Sequence, residues 1–102
     1  MDERAGEGEP IADALDRMSA LLKGTSEPGL ARELTGLAAA VRVFRADSDE
    51  RQALIRKILR MYGGMGSLQD VVLQNTAGVL PQNMEFDRLR RALFALARSG
   101  LC

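Results

Sequence analysis

The stretch Arg60 to Asp70, RMYGGMGSLQD, concentrates most of the chemistry that this 102-residue chain could offer. Its three glycines stand beside the single tyrosine and just before a serine. Such residues can cradle a phosphate or hold a nucleophile on a sharp turn. Neither spacing is met. A dinucleotide fingerprint needs a third glycine after Gly64 and Gly66, and Gln69 stands in its place. That fingerprint also follows a strand, whereas the residues before Tyr62 read as helix. A Walker loop needs Lys and Ser/Thr after its last glycine, but Ser67 and Leu68 follow Gly66. A lipase-type elbow around Ser67 fails at Gln69 as well.

Other catalytic constellations are equally poor. The chain has no histidine, which removes the commonest general base and the commonest metal ligand. Cys102 is the one cysteine, so neither a Cys/His zinc site nor an internal disulfide can be built. Carboxylates do cluster, at Asp13/Asp16 and at Asp47/Asp49/Glu50. Both groups fall where helices begin, and capping and dipole effects account for acids there. No enzymatic activity, cofactor or metal is expected.

The glycine stretch therefore reads as a turn between helices. Gly63 suits the left-handed position that closes a helix, and Ser67 with Asp70 suits the start of the next. It also reads as a candidate contact surface for a protein partner. Tyr62 and Met65 are adaptable contact residues, and the backbone at Gly64 and Gly66 can approach a partner closely. Ser67, Gln69, Asp70, Gln74 and Asn75 add hydrogen-bonding groups.

Apolar periodicity supplies the elements that must position this stretch. Ile11, Leu15, Met18 and Leu22 line one face of a helix that begins at Pro10 and ends at Gly24. Ser26 is the expected cap of a second helix, with Leu30, Leu34, Leu37, Val41 and Phe44 along its buried face. Asp47 and Glu50 have capping-box spacing before a third, which buries Leu54, Ile55, Ile58, Leu59 and Tyr62. Arg51, Arg56, Lys57 and Arg60 fall on that helix's other faces. A short helix with Leu68, Val71 and Val72 follows the glycines, in preference to an isolated strand. A loop over 75–83 leads to a last helix, capped by Asn83 and burying Phe86, Leu89, Leu93, Leu96 and Ala97. The fold class is all-α: a small bundle of four main amphipathic helices plus one short helix after a glycine-rich turn. Residues 1–9 read as a flexible acidic tail and 10–100 as a single helical domain.

Charge is balanced overall, but residues 1–16 hold six acids and one base. The basic excess gathers at Arg88, Arg90, Arg91 and Arg98. This is modest for a nucleic-acid binder, which is unlikely on composition, and it suits solvated surface or internal pairing. No apolar run is long enough to span a bilayer, and the acidic N-terminus lacks the apolar core of a secretory signal. A cytoplasmic protein without membrane contact is expected.

YGGMGSLQDVVLQ, followed by NMEFDRLRRALFALA, resembles a family of small bacterial proteins marked by an aromatic-Gly-Gly-Met-Gly-Ser turn. The resemblance covers residues 51–98, and Tyr62 to Asp70 is its most specific part. Gln69 stands where the family pattern has Asn. Such proteins are associated with immunity proteins that bind and neutralise secreted toxins. The resemblance thus implies a non-enzymatic partner of a cognate bacterial toxin enzyme. The alternative is a homo-oligomeric or regulatory helical protein, with nucleic acid reached through the C-terminal arginines.

Overall fold

A computed structural model describes residues 9–25, 27–45, 48–62, 71–75 and 78–100. Among the described residues, four helices make up the fold: α1 (Pro10–Leu22), α2 (Pro28–Val43), α3 (Asp49–Arg60) and α4 (Asn83–Gly100). Two-residue strands β1 (Gln74–Asn75) and β2 (Gly78–Val79) form a small antiparallel ladder before α4. The protein is all-α, and α1 is its centre, packed against both α2 and α4.

The core follows the apolar stripes. Ile11, Leu15, Met18 and Leu22 of α1 are buried with Leu34, Leu37 and Val41 of α2. Ile55 and Ile58 of α3 join Phe86, Leu89, Leu93 and Ala97 of α4 in the same cluster. Each fully buried side chain of this size contributes about 1.5–3 kcal/mol by leaving water. Five expected core positions on the four helix stripes sit differently: Leu30, Leu54, Leu59 and Leu96 are only partly buried, and Phe44 lies past the end of α2 and is exposed.

The helix ends obey local chemistry, though not always at the expected residue. Glu9, assigned by sequence to the tail, caps α1 by accepting the Ile11 N–H at 3.2 Å. Gly24 takes a φ of +80° just beyond α1, a conformation that favours glycine. The cap of α2 is Glu27, without a side-chain cap bond, and Ser26 lies outside the described residues. Ser48, not Asp47, caps α3, its hydroxyl accepting the Arg51 N–H at 3.1 Å. Ser and Asp adjoin there, and both suit the position.

Arg51 departs most from the helical-wheel reading. Its position puts it beside α1 and α2 instead of in water, and its side chain is only 10% exposed. Nη1 and Nη2 bind the two carboxylate oxygens of Glu9 at 2.7 and 3.0 Å, and Nη1 also reaches the Val41 carbonyl. A buried guanidinium needs this full set of acceptors. Glu9 thereby ties the start of α1 to the start of α3.

The expected short helix is not seen at Val71 and Val72, and its third apolar residue, Leu68, lies outside the described residues. Residues 71–73 belong to no helix or strand, and Val72 is exposed while Leu73 is fully buried. They lead into the β1–β2 ladder, where Gln74 pairs with Val79 and Asn75 with Gly78. Gly78, at φ +124°, holds a conformation that a residue with a Cβ rarely adopts.

Candidate protein-binding site

Tyr62, just past the end of α3, and Val71, on the other side of residues 63–70, are both tied to Arg90 on α4. The Tyr62 hydroxyl donates to the Arg90 carbonyl at 2.6 Å. The Arg90 guanidinium donates through Nη1 to the Val71 carbonyl at 3.1 Å. One residue of α4 therefore holds both flanks of the glycine stretch. The main chain of Arg90 takes one flank and its side chain takes the other.

Asp87 orients that side chain. Its Oδ1 accepts from Arg90 Nη2 at 2.6 Å, and its Oδ2 accepts from Arg91 Nη2 at 2.8 Å. The spacings are i,i+3 and i,i+4, which bring side chains together on one helix face. Hydrogen bonding from Arg90, with the nearby charge of Arg91, holds the Asp87 carboxyl below the usual aspartate range. Burial pushes the Tyr62 phenol above its ordinary value, so it remains a neutral donor.

These residues enclose a cleft of about 350 Å³ lined by Tyr62, Asp87, Arg90, Arg91 and Phe94. Tyr62 and Phe94 meet edge to face, with ring centroids 4.9 Å apart. The Arg98 guanidinium lies over Phe94 at 5.7 Å, and that of Arg90 over Phe86 at 5.6 Å. The cleft therefore combines an aromatic floor with a rim of two arginines sharing one carboxylate. It can bind and orient a polar group. Its one carboxylate, Asp87, is engaged by both Arg90 and Arg91.

A second, shallower groove lies where α1 turns into α2, bordered by Ser19, Lys23, Gly24, Pro28, Arg32 and Gly36 among others. Ser19 is committed to structure there. Its hydroxyl donates to the Ala31 carbonyl at 2.8 Å and lies 2.6 Å from the Thr35 hydroxyl.

Several residues expected at the contact surface are placed differently or fall elsewhere. Tyr62 is only 7% exposed, so its ring belongs to the core and lines the cleft as a wall. Gln74 and Asn75 form β1, held near α4 through their neighbour Leu73. The Leu73 N–H donates to Asn83 Oδ1 at 2.7 Å, and Asn83 Nδ2 donates to the Leu73 carbonyl at 2.9 Å. Expected as a helix cap, Asn83 thus pairs with the Leu73 peptide as a neighbouring strand would. Gly63, Gly64, Met65, Gly66, Ser67, Gln69 and Asp70 lie outside the described residues. Asp87, Arg90, Arg91 and Phe94 are absent from the contact set expected from sequence. Arg90 and Arg91 enter the sequence reading only through the arginine excess of the last helix, and the Asp87–Arg90/Arg91 spacing was the further signal available.

Residues 23–82 match a family described as a domain of unknown function, DUF6966. The chain belongs to this family. The matched region contains Tyr62, Val71 and the glycine stretch, and ends just before α4. No curated protein and no solved structure matches the chain. Among the described residues, no group of His, Cys, Asp and Glu could hold a metal ion. No helix among them is long and apolar enough to cross a membrane.

Proposed function

We propose that this protein is a non-enzymatic binding module that neutralises a cognate secreted toxin enzyme of bacteria, acting in the cytoplasm as an immunity protein. The observation that carries the reading is the double anchoring at Arg90. Tyr62 and Val71, which flank the stretch that marks the resemblance, are both held to Arg90 beside a concave, partly charged cleft. Presenting a shaped surface needs such anchoring, because an ordered contact surface loses less entropy on binding. Blocking an enzyme requires complementarity of shape and charge, which a chain without histidine can supply.

The arginines of α4 give less support to a regulatory nucleic-acid binder. Arg88 pairs with Glu85 at 3.1 Å, and Arg90 and Arg91 share Asp87. Carboxylates on the same helix thus offset much of the charge that phosphates would need.

The test is growth. A secreted enzyme encoded next to this chain is expressed in a sensitive bacterium, with and without the chain. Restored growth and a co-purifying complex are expected. Unrestored growth, with the chain folded and abundant, contradicts the reading. Salt-sensitive binding to a duplex oligonucleotide would favour the alternative.

A further inference from the structure

Arg90 and Arg91 are neighbours that share Asp87, yet they are placed for different work. The Arg90 side chain is 17% exposed, lies over Phe86 and holds Val71. The Arg91 side chain is 80% exposed, and its described ion pair uses Nη2 alone. The two arginines bind separate oxygens of Asp87, Oδ1 and Oδ2. Arg91 can therefore turn toward a ligand while Asp87 continues to hold Arg90.

Resting on the binding reading above, we infer that Arg91 is the recognition residue of the cleft and that it takes a carboxylate from an acidic segment of the partner protein. Charge carries the choice of ligand. The cleft lining holds two guanidiniums and one carboxylate, and Arg98 adds a further cation at Phe94. The surrounding half is basic as well: residues 51–102 contain eight basic and three acidic side chains. A guanidinium fork with an open edge matches a carboxylate through paired, charge-assisted hydrogen bonds.

The aromatic floor favours protein over nucleic acid. Stacking a base needs an open ring face. Tyr62 is buried against Phe94, and the Arg98 guanidinium already lies over Phe94. What the cleft offers is charged groups beside two rings already engaged with protein neighbours, suited to an acidic side chain with apolar neighbours.

Fluorescein-labelled hexaglutamate, followed by anisotropy at low salt, probes this in the full chain. Binding to the wild-type protein is expected, weakened by about tenfold in Arg91→Gln, the loss of one charged hydrogen-bonded contact. Arg88→Gln, on the same helix but outside the cleft lining, should change affinity by less than about twofold. Equal losses in the two variants would show diffuse attraction and overturn the assignment. So would a labelled single-stranded oligonucleotide that binds more tightly than the peptide and depends equally on Arg91. Melting temperature checks the fold of both variants. Growth rescue separates this inference from the reading beneath it. If Arg91→Gln still protects cells, the cleft assignment fails and the immunity reading stands. If the wild type does not protect but binds hexaglutamate through Arg91, the immunity reading fails and the cleft assignment stands.

Discussion

Helices α1 and α2 are joined by the short connection 23–27, and their polar links run from helix to helix. Ser19 meets Ala31 and Thr35 near the connection, and Arg42 pairs with Asp13 and Asp16 toward the far end. Helices α3 and α4 are separated by residues 61–82, and several of their polar links hold that intervening chain. Tyr62 and Val71 are bound to Arg90, and Leu73 is bound to Asn83. Gln52 to the Gly100 carbonyl, at 2.8 Å, is a direct helix-to-helix link of the second pair. The same kinds of bond therefore do different work. In the first pair they lock two helices together; in the second they set where Tyr62 and residues 71–73, on either side of 63–70, lie. A surface for a partner is expected in the second pair, where positioning is the product of the bonding.

If that contrast holds, Asn83→Ala should cost most among the polar changes. It leaves the N–H of the buried Leu73 without its acceptor, at about 1–3 kcal/mol, and removes one of the two donors to the Leu73 carbonyl, which keeps the Leu80 N–H. Urea unfolding should register the loss, and hydrogen exchange should place the fastest gain at Leu73 and the β1–β2 ladder. An equal gain in α1 and α2 would erase the distinction.

Tyr62→Phe comes next, at about 0.5–1.5 kcal/mol for the lost bond to Arg90. It carries a pH signature. Burial raises the phenol's folded value, so the unfolded chain ionises first. The hydroxyl's contribution is thus whole below about pH 10 and fades as pH rises through that value. Melting temperatures across that range should fall more steeply in the wild type than in the variant.

The first pair should tolerate change, and in one place gain from it. Gly36 lies inside α2, and a Cβ built there meets nothing within 4 Å. Gly36→Ala should stabilise by about 0.5–1 kcal/mol, chiefly by restricting the unfolded chain. Arg42→Gln should cost the least, below about 1 kcal/mol, because both ion pairs are exposed to water. That small loss should vanish in about 1 M salt, where Coulomb interactions are screened within a few ångströms. A larger, salt-resistant loss would show that helix-to-helix links carry more than the comparison allows.

The two pairs also differ in how far residue order reveals them. Apolar spacing locates all four helices, because Ile11, Leu15, Met18 and Leu22, or Phe86, Leu89, Leu93 and Ala97, must share a face to be buried together. Arg51 defeats the same logic. A wheel assigns it to solvent, and acceptors distant in sequence, the Glu9 carboxylate and the Val41 carbonyl, explain its burial. The 71–79 segment is missed for a similar reason. A lone strand lacks partners, and here the Asn83 side chain and a two-residue return strand supply them. The candidate site was legible at Tyr62 as a place but not as a role. Its ring turned out to be a core wall, and the exposed guanidinium beside it comes from a helix that starts some twenty residues later. Contacts between distant residues carry both facts, and local pattern contains neither.

The most direct test of the division between holding and recognition is to measure Arg90→Gln and Arg91→Gln side by side, each for hexaglutamate affinity and melting temperature. Arg90→Gln should lower the melting temperature by several degrees as Val71 loses its anchor. Arg91→Gln should leave melting nearly unchanged and lose about tenfold in affinity. Matching profiles for the two variants, in either quantity, would contradict the claim that one arginine builds the site and its neighbour uses it.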